Sequence, residues 1–133
     1  MGMRVRGVRG AITASGNTRS HILAATDKLL REMVAQNAVR SEEISAVFFT
    51  TTSDLTAEFP AAAARALGWS KVPLLCAQEM TVRERLAACV RVLMLVNTEA
   101  AQSDIKHVYL DGAARLRPDL SSEEDPETAG TTF

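Results

Sequence analysis

Several things are scarce in this chain of 133 residues, and each scarcity removes a class of function. Aromatic residues make up 5% of it, with one tryptophan and one tyrosine, which counts against a base-stacking platform. The formal net charge is −1, so the whole molecule carries no electrostatic attraction for nucleic acid or an anionic membrane. No apolar stretch reaches the ~18 residues of a membrane span, and the opening Met1-Gly2-Met3-Arg4 lacks the apolar region of a signal peptide. The two cysteines, Cys76 and Cys89, sit in apolar segments, and a reduced, cytoplasmic setting is the default expectation. Only His21 and His107 represent histidine, and Cys76 has no adjacent base. A thiol nucleophile is therefore unsupported. No His/Cys/carboxylate cluster stands at ligand spacing and there is no Gly-rich phosphate loop. No metal or cofactor is expected.

What is present suits one globular domain. Apolar residues make up 47% and charged residues 23%, and a chain of this length buries roughly two thirds of its unfolded surface. Met3 to Thr13 reads as a first strand, with Val5, Gly7, Arg9 and Ala11 on one face and Arg4, Arg6, Val8 and Ile12 on the other. Its two glycines weaken it but permit close approach of a neighbour. Asn17 and Thr18 are good N-cap residues, and Ile22, Ala25, Leu29 and Met33 then recur at helical spacing to about Gln36. Ser45 to Thr52 is a second strand. Pro60 followed by Ala61 to Leu67 predicts a short helix stopped by Gly68. Strands follow at Val72 to Met80, Leu86 to Thr98 and His107 to Leu110, then a helical turn from Gly112 to Leu116, stopped by Pro118. Residues 1–120 read as one domain and 121–133 as an acidic tail without a core.

The pattern is α+β, with one long helix and short helices beside a sheet. One long helix covers one sheet face, yet the third and fourth strands are apolar on both. The uncovered face therefore points to an oligomer, for which closed symmetry is the usual solution.

One charge breaks the run from Ala87 to Val96, and it is Arg91. A guanidinium keeps its proton, so burial demands an anion. Two readings stay open: a structural ion pair with Glu79, or an anionic ligand. Arg9, Arg65 and Arg117 read either as solvated surface charges or as further ligand contacts. Several arginines with one well-placed carboxylate favour a multiply anionic small molecule over a cation, since Arg forks bind carboxylates bidentately. Cys76 and Glu79 are three apart and share a pocket only if the third strand bulges or ends near Ala77.

Five segments carry a family resemblance: Arg6-Gly7-Val8-Arg9-Gly10-Ala11; Asp54 to Pro60; Val72-Pro73 to Cys76 with Gln78-Glu79-Met80; Cys89-Val90-Arg91-Val92; and His107-Val108-Tyr109-Leu110 with Leu116-Arg117-Pro118-Asp119-Leu120. In order and almost without gaps, they resemble the monofunctional chorismate mutases of the Bacillus type. The resemblance implies a mixed sheet in a homotrimer that forms a pseudo α/β-barrel, with active sites at the subunit interfaces. It implies the Claisen rearrangement of chorismate to prephenate, toward phenylalanine and tyrosine, with no metal, cofactor or covalent intermediate. By the same resemblance Arg91 binds the ether oxygen and a carboxylate, and Glu79 holds the ring hydroxyl, with Cys76 beside it. Arg9 and Tyr109 bind the side-chain carboxylate. Phe59, Ala61 and Arg65 form a wall and mouth from the neighbouring subunit, Leu74 and Leu75 line the pocket, and Leu116 with Arg117 partly close it.

The chain departs from some members in having Ala62 where they carry a lysine, and Leu75 in place of a hydroxyl residue. Substrate capture is then weaker, or falls to Arg65 and Arg117. Three rivals stand beside this reading: an anion-binding regulatory trimer, a related trimer that hydrolyses imines, and a purely structural trimer. A pure anion receptor gains nothing from Glu79, and imine hydrolysis gives no reason for Arg9, Arg91 and Tyr109 together.

Overall fold

The computed structural model describes residues 2–83 and 85–116. Helix α1 (Arg19–Gln36) begins where the chain offers an oxygen to its free N–H groups: Thr18 Oγ1 accepts from His21 N at 3.1 Å. Its expected stripe, Ile22, Ala25, Leu29 and Met33, is buried. At the far end Asn37 Nδ2 donates to Met33 O and Lys106 O, and its Oδ1 accepts from Lys106 N. One side chain thus ends the helix and anchors the last loop.

Five strands form one mixed sheet: β1 (Arg4–Thr13), β2 (Ile44–Thr51), β3 (Leu74–Gln78), β4 (Cys89–Thr98) and β5 (Val108–Leu110), in the order β3-β2-β4-β1-β5. The apolar strand β4 is central, antiparallel to β1 and β2, while β3 and β5 join the edges in parallel. A strand buried on both faces belongs at such a position. A short helix, α2 (Ala61–Ala66), packs with α1 over one face of the sheet. Gly10 permits the close approach of α1, for a Cβ there would lie 2.5 Å from Met33 Sδ and 3.1 Å from Leu29 Cδ1. Gly68, at φ +90°, ends α2 in the left-handed region that favours glycine.

The main core fills the space between helices and sheet, with Val8, Ile12, Val47, Phe49, Val90, Val92 and Met94 from the strands. The other face is unevenly covered. The 3-10 turn Asp111–Leu116, where one helical turn is expected, packs Ala113 and Leu116 on Ala11, Cys89 and Tyr109. Beyond that turn the face runs through Val5, Ala46, Phe48, Leu75, Leu93 and Leu95, with Val5 and Leu75 exposed and the others half-buried. Among the described residues the sheet is therefore open on one side, as the helix shortage predicts.

Strand limits shift for local reasons. The fourth strand starts at Cys89 rather than Leu86 because Ala88 takes φ +52°, a turn that breaks extended backbone. The third is limited to the residues that pair with β2, Val47↔Leu74 to Thr51↔Gln78. His107 stays outside β5 and completes the ladder with its ring, Nδ1 accepting from Arg9 N at 3.0 Å. Arg117, the Pro118 stop and the 121–133 tail lie outside the described residues.

Candidate active site

Strand pairing assembles a row of side chains across the sheet. Ala77, Thr50, Arg91, Ala11 and Tyr109 are successive Cα partners from β3 to β5, so they share the face away from the helices. Arg9, two residues before Ala11, belongs to that face, and so does Glu79, two after Ala77. Glu79 lies just past the end of β3, where its N–H still donates to Thr51 O at 2.8 Å. Arg91 and Tyr109 are buried, at 7% and 6% exposure.

Glu79 lies next to Arg91. Its Oε2 lies 3.9 Å from Arg91 Nε, an ion pair too long to be a hydrogen bond. That same oxygen accepts from Thr50 Oγ1 at 2.7 Å. The carboxylate is thus held by a neutral hydroxyl and sits beside the guanidinium without engaging it through this contact. Cys89, buried next to this group, has its thiol pushed up by burial, with Arg91 opposing.

A second cluster forms on the helix side of edge strand β3. Cys76 and Leu74 pack there against the main core. Burial pushes the Cys76 thiol up, against the opposing effects of the Ala61 N–H and Arg65. A cleft of about 480 Å³ joins Cys76 to Glu58, Phe59 and Pro60. The Phe59 ring stands 65% exposed beside it.

The candidate residues therefore separate into two groups. Arg9, Glu79, Arg91, Tyr109 and Leu116 gather on the open face, with Leu75 further out on it at 58% exposure. Phe59, Ala61, Arg65, Leu74 and Cys76 gather on the helix side of the β3 edge. Although β3 ends near Ala77 as the shared pocket requires, alternation still sends Cys76 and Glu79 to opposite sides. Leu74 and Leu75 are divided in the same way. One chain does not collect the two groups into one pocket. Among the described residues no three His, Cys, Asp or Glu side chains come together as a metal site, and no helix is long and apolar enough to cross a membrane.

Comparisons with known proteins give the family. The family described as chorismate mutase type I matches residues 5–120. The chain belongs to that family. It is 50% identical over 121 residues to the chorismate mutase AroH of Thermus thermophilus, covering 90% of this chain and 99% of the relative. To the chorismate mutase AroH of Bacillus subtilis it is 43% identical over 126 residues, covering 94% and 99%. A solved chorismate mutase from Clostridium thermocellum is 48% identical, superposes with a TM-score of 0.80, and covers 81% of this chain and 96% of its own. The Bacillus-type resemblance of the sequence and its α+β class are borne out.

Sequence reasoning misses the partners of two groups that shape this chorismate mutase. Thr50 is visible only as a β-former until the register sets it between Glu79 and Arg91. Thr52 and Asp54 clamp the start of β4. The Thr52 hydroxyl donates to Asp54 and accepts from Cys89 N, and Asp54 Oδ2 accepts from Ala88 N. Thr52 is 2% exposed. Their partners lie more than thirty residues away, beyond the reach of any local pattern.

Proposed function

We propose that this chorismate mutase rearranges chorismate to prephenate by confining and electrostatically stabilising the transition state, with no covalent intermediate and no cofactor. The observation that carries the reading is the row of Arg9, Arg91 and Tyr109 with Glu79 on one sheet face. Chorismate has two carboxylates, a ring hydroxyl and an ether oxygen, and its flexible enolpyruvyl arm must fold over the ring before the new bond forms. Two arginines and a phenol on a rigid sheet suit that entropic task. As the ether bond breaks, negative charge gathers on its oxygen and the ring becomes electron-poor. A buried guanidinium favours that oxygen more in the transition state than in the ground state, which is the condition for acceleration. Glu79, its carboxylate bonded by Thr50, serves the ring hydroxyl and faces the electron-poor ring.

The finer reading is a homotrimer with its active sites at subunit interfaces. Its support is the separation of the candidate residues into two groups on opposite sides of one chain, together with the open apolar face. In a closed ring of copies, the Phe59–Cys76 side of one subunit meets the Arg91 side of the next. Leu116 then borders the pocket, and the missing lysine at Ala62 leaves Arg65 as an exposed cation at the mouth. The two free thiols fit a reducing cytoplasm.

The test follows chorismate loss and prephenate formation by the purified chain with chelator present. Arg91→Ala is expected to lower kcat by about 10²–10³-fold, the scale of losing a preorganised donor, while Cys76→Ala is mild. No turnover by the folded protein, or the reverse ranking of the two variants, would overturn the assignment.

A further inference from the structure

We propose that Asn17, in the turn that opens α1, is the positioning residue that holds the Phe59 wall in place. The proposal rests on the reading that Phe59 lines a substrate pocket. From Ser53 to Phe59 the chain has no helix or strand, so side chains must supply the hydrogen bonds that give it a shape. Asn17 supplies three. Its Oδ1 accepts from Thr56 N at 2.8 Å and from Ala57 N at 3.0 Å, and its Nδ2 donates to Thr56 Oγ1 at 2.9 Å. One amide thereby captures two successive backbone N–H groups and a hydroxyl, and ties them to a rigid helix end.

The surroundings make Asn17 the controlling contact. On its inner side the segment is already pinned, for Asp54 is held by Thr52 and Ala88 and Leu55 is buried. On its outer side Pro60 precedes α2, which is packed into the core. Between these anchors the segment is also held by an ion pair, Arg19 Nε to Glu58 Oε2 at 2.8 Å, with Glu58 Oε1 accepting from Phe59 N, and Phe59 O accepts from Ala62 N at 3.1 Å at the start of α2. Arg19 is 70% exposed, and such pairs contribute little in water. The neutral, directional bonds of Asn17 therefore set the path of residues 56–58. That path presents Phe59 outward at 65% exposure instead of letting the ring fold onto its own core. In this enzyme the turn before α1 is thus part of the pocket's architecture, acting through the 56–57 backbone.

The experiment compares Asn17→Ala, Asn17→Asp, Phe59→Ala and the Asn17→Ala/Phe59→Ala pair, all as full chains, by chorismate kinetics and thermal melts. Asn17→Ala is expected to raise KM about five- to tenfold, with kcat changed less than about twofold. Asn17→Asp keeps an oxygen for both N–H groups and is expected to match the parent. The double variant is expected to be no worse than Phe59→Ala alone, because the two residues act through one contact. Additive losses, or Asn17→Asp as impaired as Asn17→Ala, overturn the proposal. Should Asn17→Ala fail to fold, Asn17→Ser takes its place, since the shorter hydroxyl does not reach both N–H groups. Phe59→Ala at the parent KM overturns the wall reading and the proposal with it. An impaired Phe59→Ala beside an unimpaired Asn17→Ala overturns the proposal alone.

Discussion

Arg91 shows how a single residue can be legible in kind and illegible in partner. Its place in an apolar run is enough to require an anion, and burial at 7% exposure agrees. Whether that anion is Glu79 or a ligand depends on a distance, and the structure gives 3.9 Å, with Thr50 taking the hydrogen bond. A carboxylate so placed tempers the guanidinium electrostatically. Asp54 makes a second residue-scale case. Its carboxyl is held below its ordinary value of 3.8 chiefly by the Thr52 hydroxyl, with the Ala88 N–H and Arg85 adding to it and desolvation opposing. Because the folded-state pKa is depressed, the contribution of Asp54 is present above about pH 3.8 and fades as pH falls through the folded value. Asn in its place should lower the melting temperature at neutral pH, by a gap that narrows as pH falls below about 3.8. Melts across pH 3–7 measure it, and a gap independent of pH would refute the clamp's electrostatic part.

At the scale of elements, the stripe and cap of α1 and the stop of α2 were readable, because each depends on neighbours within a few residues. Thr18, the Ile22–Met33 stripe and Gly68 behave as their spacing requires. Strand ends were less readable, because a strand extends only as far as its partner. β3 ends with the pairing of Thr51, and β4 waits until the chain has turned at Ala88. Gly10 belongs at this scale too. Its two functions, as a weak strand former and as a space for α1, cannot be told apart until the helix is in place. Gly10→Val is expected to destabilise the fold by about 1–3 kcal/mol through overpacking against Met33 and Leu29. Urea denaturation checks this, and an unchanged midpoint would mean that α1 moves freely aside.

For the whole molecule, the decisive fact is the imbalance, among the described residues, between a five-stranded sheet and helices on one side of it. The open face carries Phe48, Leu93 and Leu95, and soluble proteins seldom leave such a patch uncovered. Leu95 lies on that face opposite Gly7 and Ala46. In a lone subunit a half-buried Leu95→Glu is tolerable, whereas in an interface it buries an unpaired charge at a cost of several kcal/mol. Sedimentation should therefore show Leu95→Glu as a folded monomer and the parent as a trimer. A parent that sediments as a monomer would remove the interfacial site.

The amino-acid sequence by itself determined the α+β class, the long helix and its cap, the buried arginine and the family, since all of these are written in local order and composition. The tertiary structure decided which side chains meet. Alternation along β3 parts Cys76 from Glu79 and Leu74 from Leu75, and the register across β2, β4, β1 and β5 brings Thr50, Arg91, Ala11 and Tyr109 into line. Contacts of that kind join residues tens of positions apart, and shifting one strand by a single residue would send its side chains to the other face. Register is a property of the packed sheet, so it was absent from any one segment of the chain.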